Sequence, residues 1–139
     1  MIFFDTNVLV YAAITQDINK QKISDRLIEE TVRDGTMTLS PLVISEFVFV
    51  LSKLKISREL IEAALALYEP FAKNAIEPSM VFEAAALCND LGRGKSINDA
   101  VHLKFAEQYC RKIVTFDSDF KMFEKHSDCH IEILSNDSD

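Results

Sequence analysis

Four carboxylates in this 139-residue chain have the residue types and settings to share one divalent cation: Asp5, Glu46, Asp99 and Asp117. Oxygen-rich sites suit Mg²⁺ or Mn²⁺, which take a few carboxylates and keep several waters. Such ions bind phosphates and lower the pKa of a bound water, chemistry that suits phosphodiester hydrolysis. Asp5 follows the apolar run Ile2-Phe3-Phe4 and precedes a second one, Val8 to Ala13. Asp117 follows Lys112 to Phe116 in the same way, with Asp119 two residues on. Glu46 shares a helical face with Leu42, Val43, Phe49 and Val50, and an unpartnered carboxylate buried there costs several kcal/mol. Asp99 lines up with Leu103, Ala106 and Cys110.

Each acid also has an ordinary explanation. Glu46 fits a rim residue with its head in water, or a partner for Lys53. Ser96-Ile97-Asn98-Asp99 fits a capping box. Asp5 and Asp117 fit helix N-caps, and Thr6, Asn7 and Thr115 fit caps or donors that hold the carboxylates. The four together are less easily explained apart than as one cation site.

The elements that must position them alternate. Short apolar strands are expected at 2–4, 37–39, 112–116 and 131–134, with 74–77 as a fifth candidate. Helical patterns cover residues 6–14, 19–34, 41–54, 58–69, 78–91 and 97–110, with a short helix over 117–123. Ser40-Pro41, Ser57 and Pro78 mark helix starts, and Gly35 and Pro70 mark ends. No hairpin signal appears, so the pattern predicts a parallel sheet with helices on both faces, in one α/β domain over 1–139. With almost no N-terminal arm, the first strand is expected mid-sheet. That places Asp5 at the strand end where such sheets bind ligands. Residues 135–139 read as a frayed acidic tail.

Composition narrows the function classes. Apolar residues make up 48% of the chain and Gly and Pro number 3 each, a globular and helix-rich profile. No apolar run approaches the roughly 20 residues of a membrane span, and no signal peptide is evident. Cys88, Cys110 and Cys129 lack CxxC spacing and read as reduced thiols of a cytoplasmic protein. The net charge of −7 argues against a plain nucleic-acid-binding module, since such binding rests on Lys and Arg. A bound cation would reverse that sign locally.

Taken in order, DTNVLVYA, the SEF at 45–47, NDAVHLKFAE and TFDSDF resemble the four signature segments of the PIN domain family, over essentially the whole chain. The length is similar to that of the VapC-type toxins of toxin–antitoxin pairs. The resemblance implies a PIN-like three-layer sandwich around a parallel sheet of about five short strands. It implies a Mg²⁺- or Mn²⁺-dependent endoribonuclease, a homodimer, an RNA substrate and a small antitoxin that blocks the site. By position, Asp5 and Asp99 match the principal metal ligands, with Asp117 completing the site directly or through water. Glu46 matches the acid that orients or deprotonates water or ligates a second ion. Thr115 and Asp119 match a supporting hydroxyl and an outer acid.

Arg93 and Lys95 precede Asp99 in a Gly-containing loop that fits phosphate contact or plain solvation. His102 reads as structural or surface: it is about 60° round its helix from Asp99, and no second nitrogen or sulfur ligand for a metal is evident nearby. His126, Cys129 and His130 are a poor match to zinc spacings. Phe47, Phe49, Phe71 and Phe82 read as core, dimer or partner surface. Alternatives are a housekeeping PIN-type nuclease, a non-catalytic RNA-processing scaffold, or a haloacid-dehalogenase-like phosphohydrolase. The last wants Asp-x-Asp, and the residue two after Asp5 is Asn7.

Overall fold

The computed structural model of the protein describes residues 1–135. Four strands form one parallel sheet: β1 (Ile2–Phe4), β2 (Met37–Thr38), β3 (Lys112–Thr115) and β4 (His130–Ile133), in the order β2-β1-β3-β4. Six α-helices connect them among the described residues: α1 (Thr6–Ala13), α2 (Ile18–Asp34), α3 (Pro41–Lys53), α4 (Arg58–Tyr68), α5 (Pro78–Leu91) and α6 (Ile97–Tyr109). The short helix expected over 117–123 is a 3-10 helix over Ser118–His126.

Both faces of the sheet are covered. Phe3 and Phe4 are neighbours in β1 and so point to opposite faces, and both are fully buried. The same holds for Ile113 and Val114 in β3. Phe3 meets Phe105 of α6, ring centroid to ring centroid at 5.6 Å. A strand buried on both sides is the sequence signature of a central parallel strand, and β1 does lie between β2 and β3.

The expected fifth strand is not present among the described residues. Residues 74–77 are irregular, with Lys73, Ala75 and Glu77 exposed and only Ile76 packed against the core. One apolar contact gives that segment little reason to lie along the sheet, and β2 offers an edge of only two residues. The segment before it is tied by one bond, Leu39 N–H to the Phe71 carbonyl at 3.0 Å. Of the expected frayed tail, residues 136–139 lie outside the described residues.

Helix ends follow local chemistry. Ser40 accepts from the Val43 amide at 3.0 Å with Pro41 behind it, which starts α3. Gly35 ends α2 at φ 67°, a left-handed turn that a side chain would strain.

Candidate metal centre

The parallel register puts two strand ends side by side. Phe4 pairs with Val114, so Asp5 and Thr115 follow as neighbours at the C-terminal edge. The Asp5 amide donates to the Val114 carbonyl at 2.9 Å, which fixes the backbone of this junction. Thr115 Oγ1 then donates to Asp5 Oδ2 at 2.7 Å, and the Thr6 amide donates to Asp5 Oδ1 at 2.8 Å. Asn7 completes the clamp. Its amide nitrogen reaches Thr115 Oγ1 at 3.2 Å and its carbonyl oxygen accepts from the Phe116 amide at 3.2 Å. Asp5 is therefore both the N-cap of α1 and a buried carboxylate held from two strands.

Asp117 lies two residues beyond Thr115 and caps the 3-10 helix by accepting from the Asp119 amide at 2.9 Å. Its own amide donates to Thr115 Oγ1 at 3.0 Å. One hydroxyl thus ties the β1 and β3 acids together. Asp99 enters from the first turn of α6 and is half-buried. The expected capping box is absent: Ser96 makes no side-chain cap, because the 3-10 turn Gly94–Ser96 runs straight into α6 and leaves its backbone at φ −93°, ψ 19° rather than extended.

Glu46 arrives from α3, a little over one turn past its start. Its partner is not Lys53, which is exposed. Oε1 accepts from Thr6 Oγ1 and from His102 Nε2, both at 2.7 Å, and Oε2 accepts from Asn98 Nδ2 at 3.1 Å. Asn98 and His102 stand four residues apart on α6, on one face, and grip both oxygens of the same carboxylate.

The four acids line one open cavity of about 420 Å³, together with Thr6, Asn7, Tyr11, Phe49 and Val50. Its electrostatics are those of crowded like charges. Burial raises the pKa of Asp5 above the usual carboxylate value, opposed by His102 and by the Thr115 and Thr6 hydrogen bonds. Burial and the neighbouring Asp5 push Asp99 up to about 7. Glu46 goes the other way: burial raises it, but the hydrogen bonds from His102, Thr6 and Asn98 outweigh that and hold it ionised. For His102 burial lowers the pKa, and the Glu46 bond with the carboxylates around it turns the net shift upward.

His102 is the site residue that sequence reading missed. It is 1% exposed, bonded to Glu46 and 3.8 Å from Asp5 Oδ1. Asp5, Glu46 and His102 place one ligand atom each within 4.8 Å of one another. Its burial among Val101, Leu103, Phe105 and Ala106 demands a polar partner, but that burial is set by the fold and is not written in the helix pattern. The other expected residues divide. Thr6, Asn7 and Thr115 hold the acids as described. Asp119 is exposed outside the cavity, its carboxylate 4.0 Å from Arg93. Lys95 is exposed on the turn before α6, and neither it nor Arg93 lines the cavity. Phe47 is core, Phe71 packs at the core margin, Phe82 is exposed, and Phe49 is 64% exposed at the cavity wall.

The donor set fits a divalent cation. Four hard oxygen donors face one cavity, and two of them carry raised pKa values that a 2+ charge would relieve.

No helix among the described residues is long and apolar enough to cross a membrane. No curated protein matches the chain closely enough to count as a relative. Among solved structures, the chain is similar to one in the crystal structure of VapBC2 from Rickettsia felis bound to a DNA fragment from their promoter. That likeness has 20% identity and a TM-score of 0.68, and covers 97% of this chain and 100% of that one. It shows a shared fold. The sequence itself matches the PIN domain over residues 2–125, nearly its whole length, and the chain belongs to the PIN domain family.

Proposed function

We propose that the protein is a Mg²⁺- or Mn²⁺-dependent endoribonuclease and the toxin of a toxin–antitoxin pair. The observation that carries the nuclease reading is the convergence of Asp5, Glu46, Asp99 and Asp117 on one cavity in a PIN domain, a family of nucleases. The toxin reading is supported by the likeness to a chain of the VapBC2 complex, in a protein of matching length. It carries with it a small antitoxin as partner, a homodimer and a cytoplasmic setting. Membership of the PIN family sets aside a haloacid-dehalogenase-like phosphohydrolase.

Asp5 and Asp99 would be the principal ligands, with Asp117 completing the site. When bound, the ion supplies charge neutralisation at a scissile phosphate and acidifies a water. The chain's own residues do the rest. Thr115 and Thr6 hold the Asp5 carboxylate in one orientation. Glu46, kept ionised by three donors, orients the attacking water and takes its proton. The water oxygen bonds to phosphorus, one bridging P–O bond breaks, and the released sugar oxygen takes a proton from solvent, to which Glu46 then gives up the one it took.

The test is cleavage of a structured RNA by the intact protein with Mn²⁺, with EDTA, and by Asp5→Asn with Mn²⁺. Cleavage is expected only in the first. Cleavage in EDTA, or undiminished activity of Asp5→Asn, rejects the mechanism. Expression of the intact protein is expected to arrest growth, with relief by Asp99→Asn. Normal growth on expression assigns the chain to housekeeping RNA processing.

A further inference from the structure

His102 is buried against Glu46 and Asp5, behind the cavity wall, and is no member of the acidic quartet. Its contacts are uneven. Nε2 is 2.7 Å from Glu46 Oε1, whereas Nδ1 is buried with no partner. A buried unpartnered ring nitrogen costs stability, so its retention asks for a reason. The reason lies in how the lone pairs of Glu46 are allotted. A carboxylate oxygen accepts about two hydrogen bonds. Oε1 receives Thr6 Oγ1 and His102 Nε2, which fills it. Oε2 receives only Asn98 Nδ2, which leaves one acceptor position on a side chain that lines the cavity.

We infer that His102 is a positioning residue that occupies Glu46 Oε1, so that Glu46 serves attacking water through Oε2 and is withheld from the cation. The inference rests on the nuclease reading above and refines it. Without His102, Glu46 keeps one donor on each oxygen, Thr6 on Oε1 and Asn98 on Oε2, and Oε1 regains an acceptor position with which to join the ion's ligands. The histidine then divides the labour of the quartet: three aspartates hold, one glutamate takes the proton. A ring serves better than a flexible amine here. It is locked by the Phe3 ring, whose centroid is 5.5 Å away, and by burial on every side.

The experiment compares His102→Leu, His102→Gln, Glu46→Gln and the Glu46→Gln/His102→Leu pair in the full chain. Three quantities are read: Mn²⁺ binding to protein alone by electron paramagnetic resonance, kcat and KM on RNA, and thermal unfolding. His102→Leu is expected to lower kcat by about 10- to 100-fold with KM within about threefold. It is expected to bind Mn²⁺ no more weakly than the unaltered chain. The Gln side chain reaches with a donor, so His102→Gln is expected to recover most of kcat. The double variant is expected to be no slower than Glu46→Gln, because His102 acts through Glu46. Weaker Mn²⁺ binding in His102→Leu overturns the inference by making His102 a ligand, as does unchanged kcat or an additive loss in the double variant. If His102→Leu unfolds, His102→Gln decides alone: near-native kcat and Mn²⁺ binding support the role, and loss of either rejects it. If the unaltered chain binds Mn²⁺ but cuts no RNA, the nuclease reading fails. The Mn²⁺ comparison still judges His102 in that case.

Discussion

At the scale of single residues, the site is built at the expense of stability. Asp99 is pushed up to about 7 by burial and by the charge of Asp5. Its folded pKa lies above the unfolded value of 3.8, so the folded state binds its proton more tightly. Its contribution is fully present below about pH 4 and is lost as pH rises through about 7. Metal-free protein should therefore melt at progressively lower temperature across that window. Asp99→Asn removes the repulsion and should stabilise metal-free protein at pH 8 by on the order of 1–2 kcal/mol, discounted because part of the group reaches water. The gain should shrink at pH 5. Differential scanning calorimetry at the two pH values checks this, and an Asn variant that melts lower at pH 8 refutes it. Mn²⁺ should raise the melting temperature of the unaltered protein more at pH 8 than at pH 5. The active variant and the stable variant are then different proteins, as expected where like charges are gathered for function.

At the scale of elements, the acids depend on where helices begin. α1 and the 3-10 helix start directly from strand ends, so Asp5 and Asp117 are caps and site residues at once. The cap reading holds for both, and it does not compete with a place in the cavity that both line. Glu46 depends on α3 starting at Ser40, which is fully buried and bonded to the Val43 amide. Ser40→Ala leaves that amide unpaired in the core. It should cost about 1–2 kcal/mol, read as a lower urea midpoint with unchanged slope. Because α3 also carries Phe47 and Leu51 into the core, the helix should stay formed and Mn²⁺ binding should persist. Asp99 shows the opposite lesson. Its capping-box pattern was present in the sequence, yet the turn Gly94–Ser96 sets Ser96 out of cap geometry. Pattern reports local competence, and the chain entering the helix decides whether it is used.

At the scale of the whole molecule, the proposed nuclease function asks an acidic protein to engage a polyanion. The net charge of −7 opposes RNA at long range, and Arg93 lies against Asp119. Binding of RNA should therefore need the cation, not only cleavage. With catalytically silent Glu46→Gln, RNA affinity should fall at least about tenfold when EDTA replaces Mn²⁺, measured by fluorescence anisotropy at fixed salt. Equal affinity in the two conditions would mean that a basic surface elsewhere carries the contact.

The sequence alone determined the element order, the central place of β1 and the four acids that line one cavity as candidates, because each is a local property. Apolar runs, cap residues and an acid closing a strand are all written within a few neighbours. The strand count came out one too high, since an extended polar-flanked run such as 74–77 looks the same whether or not a sheet edge awaits it. Only the tertiary structure decided what surrounds Glu46. Thr6 is 40 residues away, and Asn98 and His102 are 52 and 56. Their meeting depends on the rotation of α6 against α3, and no periodicity within either helix encodes that angle. The rotation turned His102 from a residue that read as structural or surface into a group that holds Glu46.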